Sequence, residues 1–464
     1  MAMLGLTRGT DNDPLARAIS PPKKEPSTHK EARILAEKQA KMISDQIDEE
    51  LKKERVAERK GTRALKVLIL GQSESGKSTL LKNFQLMCKP RAFGAERASW
   101  RAVIQLNIVR SIHLILDALS APGTASPRIP AELMKVKQRL SPLLQVEDTL
   151  TRKLNPTGSD EVEATRLVPA RLGLKDGPKE VAVHSASGWK SAFSRLMNTG
   201  RDSIDTLNDV DWNDPNEPGA VLHRCSEDMT KLWQDPVVHQ ILEKRNLRIQ
   251  ELAGFFLDSL DRVTAPRYMP TDDDILRARL KTLGVSEHRF TMNSSSISRD
   301  WRVYDVGGQR SLRAAWIPFF DDVDAIIFLA PISCFDQVLE EDPKVNRLED
   351  SFNLWSSIVQ NPLLRQTNLI LFMNKIDIMR QKLANGVMLK DYVISYQDRP
   401  NDFENASAYL MKKFGGILKQ KSPVSRVFYG HLTSVTDPKS TSYIISNIRD
   451  VLMRQNLAKT SLIV

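Results

Sequence analysis

The chain is poor in cysteine: Cys88, Cys225 and Cys334 are its only three, they lie far apart, and none forms a CxxC pair. That fits a reducing cytosol better than a disulfide framework and gives no ground for a thiolate metal cage. No run of eighteen apolar residues occurs, so no segment reads as a membrane-spanning helix. The start, MAMLGLTRGTDNDP, lacks a sustained apolar core and does not read as a secretion signal. Ala2 stands where N-myristoylation requires glycine. Aromatics make up only 6%, and the 67 Lys+Arg set against 57 Asp+Glu are spread along the chain with few aromatics among them. This argues against a nucleic-acid partner and leaves mild attraction to an anionic membrane face as the economical meaning of the +10 charge.

What is present suits a large folded protein, with 41% hydrophobic and 27% charged residues and an expectation of about three domains. The first thirty residues, rich in Pro, Lys and polar side chains, read as disordered. From about Lys30 to Lys60 the chain is almost free of Gly and Pro and reads as one long helix. Leu35, Ile43, Ile47 and Leu51 share a stripe on it, which suits either a docking face or a free charged rod. Trp100 to Leu119 and Leu247 to Asp261 read as amphipathic helices. Seven prolines between Ser120 and Ser187 rule out long uninterrupted helices over much of that stretch. From Trp301 onward the short β-rich runs WRVYDV, AIIFLA, NLILFMNK and RVFYGHLT alternate with helix-length segments, which argues a mainly parallel sheet with helices on both faces. A last helix is expected from about Ser440 to Asn456, with Tyr443, Ile444, Ile448, Val451 and Leu452 on its buried side.

Three motifs carry chemistry, in an order that makes each more specific. Gly71 to Thr79, GQSESGKST, follows the apolar run Leu65 to Leu70 and fits a phosphate-binding loop: backbone N–H groups wrap the α- and β-phosphates, Lys77 reaches the β/γ oxygens, and the Ser78 hydroxyl ligates Mg²⁺. Helix onset at Thr79 would aim a positive dipole end at the same phosphates. Asp305-Val306-Gly307-Gly308-Gln309 ends the WRVYDV strand, where an acid can hold Mg²⁺ through its water shell, a glycine N–H can meet the γ-phosphate and a glutamine can orient water. Asn374-Lys375-Ile376-Asp377 ends the NLILFMNK run. A carboxylate at Asp377 can accept from guanine N1 and N2, which points to GTP over ATP.

With these motifs in place, the chain resembles the α subunits of heterotrimeric G proteins. The likeness is carried further by DILRARLKTLG from Asp274, DVGGQRSLRAAW from Asp305, LWQDPVVHQI before FFLDSLDRV, and HLTSVTD from His431. It implies an α/β fold: a Ras-like P-loop GTPase domain interrupted by an all-helical domain. The divisions it suggests are 1–62 for a disordered start and N-terminal helix, 63–90 and 269–464 for the GTPase domain, and 91–268 for the helical domain, with 120–187 as an insertion loop. The resemblance makes Arg279 and Gln309 the catalytic pair, one neutralising transferring charge and the other positioning water. It adds Thr282 to Ser78 and Asp305 as a Mg²⁺ ligand. It sets Gly71, Glu74, Ser75, Gly76, Lys77, Ser78, Thr79, Glu251, Leu276, Arg277, Asp305, Gly308, Asn374, Lys375, Asp377 and Val435 against the nucleotide. Arg310 to Trp316 would form the switch II helix, and the backbone N–H near Val435 would cap the guanine.

The implied activity is a slow GTPase switch using GTP, GDP and Mg²⁺, set in the cytoplasm or peripherally at the inner face of the plasma membrane. The implied partners are a βγ dimer, a seven-helix receptor reading the tail after Asn456, and an effector at switch II. The sequence departs from the family pattern at Ser73, where glycine is usual, at Val435, where alanine is usual, and at Leu312, Ala314 and Ala315 in switch II. Ser78 and Arg279 lie 201 positions apart, a long interval for the family. Two alternatives stay open at this point: a guanine-nucleotide scaffold with impaired hydrolysis, and an unrelated P-loop NTPase.

Overall fold

A computed structural model describes residues 27–60, 64–120, 129–154, 182–184, 214–245, 247–283, 285–294, 297–308, 310–320, 322–339 and 342–459. The chain divides into two compact units, Met1–Ala64 and Leu65–Val464. Among the described residues of the first, helix α1 runs Ser27–Lys60, as the composition nearly free of Gly and Pro predicts. Its stripe residues Leu35, Ile43 and Ile47 are exposed, and Ile34 and Met42 beside them are exposed too.

The second unit is built on a six-stranded sheet in the order β4-β5-β1-β6-β7-β8. The strands are β1 (Leu65–Leu70), β4 (Val285–Ser294), β5 (Ile297–Val306), β6 (Ala325–Pro331), β7 (Asn368–Asn374) and β8 (Tyr429–Leu432). Every pairing from β5 to β8 is parallel, and only the β4–β5 hairpin is antiparallel. Alternation within each strand sends side chains to opposite faces. Leu68, Leu70, Ile326, Phe328, Leu369 and Leu371 pack on one face with α11 (Arg347–Gln360), α12 (Ile376–Ala384) and α13 (Phe403–Lys421). Val67, Ile69, Ile327 and Phe372 pack on the other with α2 (Lys77–Cys88) and α14 (Pro438–Lys459). The helices on both faces thus follow from near-continuous apolar strands that need cover on two sides. β1 lies between β5 and β6, where the chain order of the strands reverses, and crevices at such a point bind ligands at the carboxyl ends of the strands.

Between β1 and β4 the described residues are mostly helical and own a separate apolar core. Its spine is α4 (Arg97–Ser120), preceded by the short α3 (Pro90–Ala95). α4 is long and apolar enough to cross a membrane, yet most of that stretch is buried inside this core. Around it pack α5 (Ala131–Arg139), α6 (Leu143–Leu154), α7 (Pro218–Gln234) and α8 (Pro236–Lys244), with α10 (Asp272–Arg277) closing the segment after a single turn, α9 (Leu260–Val263). A three-residue strand, β2 (Ala182–His184), pairs in parallel with β3 (Lys281–Leu283).

Three expectations need correction. The 120–187 stretch is not one loop: α5 and α6 bury Leu133, Val136, Leu140, Leu143, Val146, Leu150 and Leu154 in the helical core. Pro130 precedes the first helix and Pro142 the second, so these prolines punctuate helices rather than forbid them. Apart from β2, residues 155–213 lie outside the described residues. Leu247 to Asp261 is no continuous helix, because Gly254 sits at φ +82 between 3₁₀ turns at Ile249–Glu251 and Leu257–Ser259. On α14, Tyr443 is 70% exposed, and Ile445 takes the buried place beside Ile448 and Leu452.

Candidate functional site

The loop after β1 turns sharply through three residues of positive φ, Glu74 (φ +58) and the glycines at 71 and 76. Gly71 has φ +148, and a side chain there would strike Leu329 O at 2.5 Å and the Ser75 hydroxyl at 2.6 Å. Gly76 has φ +101 and caps the start of α2, where a Cβ would collide with the Asn374 amide. Lys77 opens α2 and is buried, its amine donating to Gly71 O at 3.0 Å and Gln72 O at 2.8 Å. Burial lowers that amine to about 8, against the upward pull of the nearby Asp305 carboxylate. Ser78 Oγ donates to Asp305 Oδ2 at 3.0 Å. Burial raises the Asp305 carboxyl, with Lys77 and Ser78 opposing the shift. A hydroxyl and a carboxylate converging in this way offer the hard oxygens that Mg²⁺ prefers. Among the described residues no cluster of three His, Cys, Asp or Glu could hold a metal. A cation here would therefore complete its shell from hydroxyl, phosphate and water oxygens, and these residues fit one.

Asp305 ends β5, and Gly307 and Gly308 follow it against the phosphate loop. A Cβ on Gly308 would fall on the Lys77 amine and the Gln72 backbone, so only glycine admits this approach. The 3₁₀ segment Arg310–Phe319 occupies the expected switch II position, held by Trp316 Nε1 donating to Gly307 O at 3.0 Å. Arg313 forks onto Asp350 with bonds of 3.0 and 2.6 Å, the two-pronged geometry that makes Arg–carboxylate pairs strong. Gln309 lies outside the described residues, and so do the side chains of Thr282 and Arg310.

Arg279 lies between α10 and β3, with its guanidinium paired to Glu74 of the phosphate loop. The other Glu74 oxygen accepts from Arg347 at 3.1 Å, and Arg347 also donates to Ser73 O at 2.8 Å. Burial would raise the Glu74 carboxyl, but Arg279, Arg347 and Lys375 outweigh it and hold the group below the usual carboxylate range. Glu74 therefore faces this cationic frame through its side chain. Glu251 is likewise committed, accepting from Gln337 and from Lys382 at 2.6 Å each. Asp336, which also accepts from Arg248, adds a second anion to Lys382 at 2.7 Å.

At the other end, Asn374 Nδ2 donates to Ser75 O at 2.7 Å, while its Oδ1 accepts from Val435 N–H at 3.1 Å and Thr433 Oγ1 at 3.3 Å. The Val435 N–H, expected to cap a guanine, is thus taken up by Asn374. Val435 O accepts from Asn83 at 2.8 Å, tying this loop to α2. Lys375 takes a left-handed backbone, φ +62, and burial lowers its amine. Asp377, in the first turn of α12, stays exposed at the cavity edge.

These residues line one cavity of 490 Å³. Glu74 to Thr79, Glu251, Leu276, Arg277, Arg279, Asp305, Gly308, Asn374, Lys375, Asp377 and Val435 all face it; Gly71 shapes the loop from behind. Its size suits a small-molecule ligand, and one end is cationic. Four contributors were not legible in the sequence: Asn107, Arg347, Lys82 and Asn83. Each bonds across hundreds of positions or from a helix interior, and only a polar residue inside an otherwise apolar run, as in VIQLNIV, hints at one of them.

A family model described as G-protein alpha subunit matches residues 41–452. The guanine nucleotide-binding protein alpha-4 subunit of Mycosarcoma maydis is 31% identical, covering 99% of this chain and 97% of that protein. The alpha-1 subunit of the same organism is 30% identical over 92% of this chain and 98% of its own length. The guanine nucleotide-binding protein subunit alpha of Cochliobolus heterostrophus is 29% identical over the same shares, 92% and 98%.

Proposed function

The chain belongs to the G-protein α-subunit family, and from that premise we propose how its residues divide the work on the nucleotide. It is a guanine nucleotide-binding α subunit and a GTPase, a molecular switch of signal transduction, on a Ras-like sheet domain joined to a helical domain. The observation that carries the residue roles is the convergence, in one cavity, of a phosphate loop, a buried lysine, an arginine and the Asn374–Asp377 turn.

Lys77 and the N–H groups from Glu74 to Thr79 hold the phosphates, with the α2 N-terminus adding its dipole. Arg279 neutralises charge on the transferring phosphoryl group, and Gln309 orients the attacking water. Ser78, Thr282 and Asp305 hold Mg²⁺. When bound, that ion neutralises charge on the β/γ oxygens. Asp377 selects guanine, with Asn374 and Lys375 bracing the turn and Val435 closing over the base. Glu251, Leu276 and Arg277 line the nucleotide from the helical side. Residues 63–90 and 269–464 are taken as the GTPase domain and 91–268 as the helical domain, the latter supported by its own core from Phe93 to Ala278. Single-turnover hydrolysis of GTP beside ATP tests the assignment: ATP turnover matching GTP would return the chain to another P-loop class.

GTP would order the two switches and hydrolysis release them, so that the GDP form offers switch II to a βγ dimer and the GTP form offers it to an effector. The exposed apolar stripe on α1 is the second βγ contact, and a seven-helix receptor reads the tail after Asn456 at a membrane face. Replacing Ile43 and Ile47 with Asp should abolish βγ co-purification while GTP affinity stays unchanged. Unaltered co-purification would make α1 a solvated rod.

A further inference from the structure

Resting on the reading of Arg279 as the charge-neutralising arginine, we propose that Asn107 is its positioning residue, fixing the Arg279 main chain from the helical core. Asn107 projects from the middle of α4 and is buried. Its Oδ1 accepts from the Arg279 N–H at 2.8 Å, and its Nδ2 donates to Arg279 O at 2.9 Å. Both polar groups of one backbone residue are thus met by one planar amide, which constrains position and rotation together as a neighbouring β-strand would.

The surroundings also hold the two residues before Arg279. Gly254 N–H donates to Arg277 O at 3.0 Å, and Lys82 Nζ donates to Ala278 O at 2.8 Å. Gly254 also stands close behind the clamp: a Cβ there would lie 2.7 Å from Asn107 Oδ1 and 3.0 Å from Arg279 Cβ. Three consecutive residues therefore have their backbones fixed by three different parts of the molecule. A loop needing only burial would not require this. The guanidinium that leaves this backbone reaches Glu74 in the phosphate loop, so any shift of the Arg279 Cα is passed to the phosphate end of the cavity. A displacement of about 1 Å at a reacting centre can lose on the order of a hundredfold in rate.

Asn107 touches no reacting atom and acts through Arg279 alone, which sets the test. Single-turnover GTP hydrolysis, GDP affinity and thermal melting are measured for the full chain carrying Asn107→Ala, Arg279→Ala and both. We expect Asn107→Ala to slow hydrolysis by about tenfold or more with GDP affinity held within about threefold, and to add nothing in the Arg279→Ala background. Asn107→Asp keeps the acceptor for the Arg279 N–H but cannot donate to its carbonyl, and should fall between wild type and Asn107→Ala. Gly254→Ala pushes on the clamp without removing the amide, and should reproduce the hydrolysis defect even if Asn107→Ala fails to fold. Equal losses in both backgrounds, or an unchanged rate for Asn107→Ala and Gly254→Ala while Arg279→Ala is slow, would overturn the proposal alone. An unchanged rate for Arg279→Ala would overturn the reading of Arg279 and this proposal with it.

Discussion

Asn374 Nδ2 donates to Ser75 O at 2.7 Å, so the turn expected to read the base is bonded directly to the loop expected to hold the phosphates. The two ends of the cavity are tied together by this bond, and Gly76 is what lets them approach, since a side chain there would occupy the Asn374 amide position.

Two substitutions in this turn should therefore fail differently. Asn374→Ala leaves Ser75 O and Val435 N–H buried without their partner, a cost of about 1–3 kcal/mol for each group left unpaired, and should weaken every guanine nucleotide by roughly ten- to a hundredfold. Asp377→Asn touches neither bond. It exchanges a double acceptor for an acceptor and a donor, and should shift preference toward xanthine nucleotides. Binding of GDP, GTP, XTP and ATP to both variants separates the roles, and ATP within about threefold of GTP for the wild type would sink the assignment of Asp377.

Residues 131–154 carry seven buried apolar side chains of the helical core, each contributing about 1.5–3 kcal/mol on burial. Their sum is comparable to the whole stability of a domain, so deleting 131–154 should leave no cooperative melting transition for the helical core. If the sequence reading of this stretch as an insertion holds, replacing 156–181 with a short linker should leave GDP affinity within about threefold. A normal melt after the first deletion would remove α5 and α6 from the core.

The helices at 131–154 mark how far the sequence could be read. Strands rich in Val, Ile and Leu and the three glycine- or turn-bearing motifs announce themselves, because they are local patterns with a fixed period or spacing. The sheet and most of the cavity lining follow from them. Prolines at 130 and 142 misled, since each sits just before a helix, where proline is tolerated, rather than inside one. Gly254 broke an apparently amphipathic run for a tertiary reason, its close approach to Asn107 and Arg279. The exposure of Tyr443 depends on how α14 is rotated against the sheet, where the 3.6-residue stripe is broad enough to admit either neighbour.

Lys82 should make stability depend on pH. Its amine is buried over the Trp100 ring at 4.2 Å and donates to Ile275 O and Ala278 O at 2.8 Å each. Burial lowers it from the ordinary 10.5 to about 7. With the folded value depressed, the unfolded chain binds the proton more readily, so this group's contribution falls as pH drops from about 10.5 to about 7 and is flat below. Lys82→Met removes the titration. Denaturant melts of GDP-bound wild type and variant should therefore diverge between pH 7 and 9 in favour of the wild type at the higher pH, by up to about 1.4 kcal/mol per unit. A stability difference that does not move across that range would mean that Lys82 titrates normally.

Ser73 stands in the phosphate loop where the resemblance leads us to expect glycine, and Arg347 Nη2 anchors its carbonyl at 2.8 Å. With the backbone so held, the loop has little freedom to swing the side chain away from the cavity it lines. The space beside it is where a γ-phosphate, an attacking water and Gln309 would meet, and a glycine would leave room for close approach. The β-phosphate cradle formed by Gly76, Lys77 and Ser78 lies on the other side of Glu74 and should hardly sense the hydroxyl. Ser73→Gly is therefore expected to speed single-turnover GTP hydrolysis by about tenfold or more, roughly 1.4 kcal/mol of barrier, while GDP affinity stays within about threefold. Equal rates for the two proteins would mean that the loop accommodates the hydroxyl where it is, and the slow step would then have to be sought in Arg279 and its clamp instead.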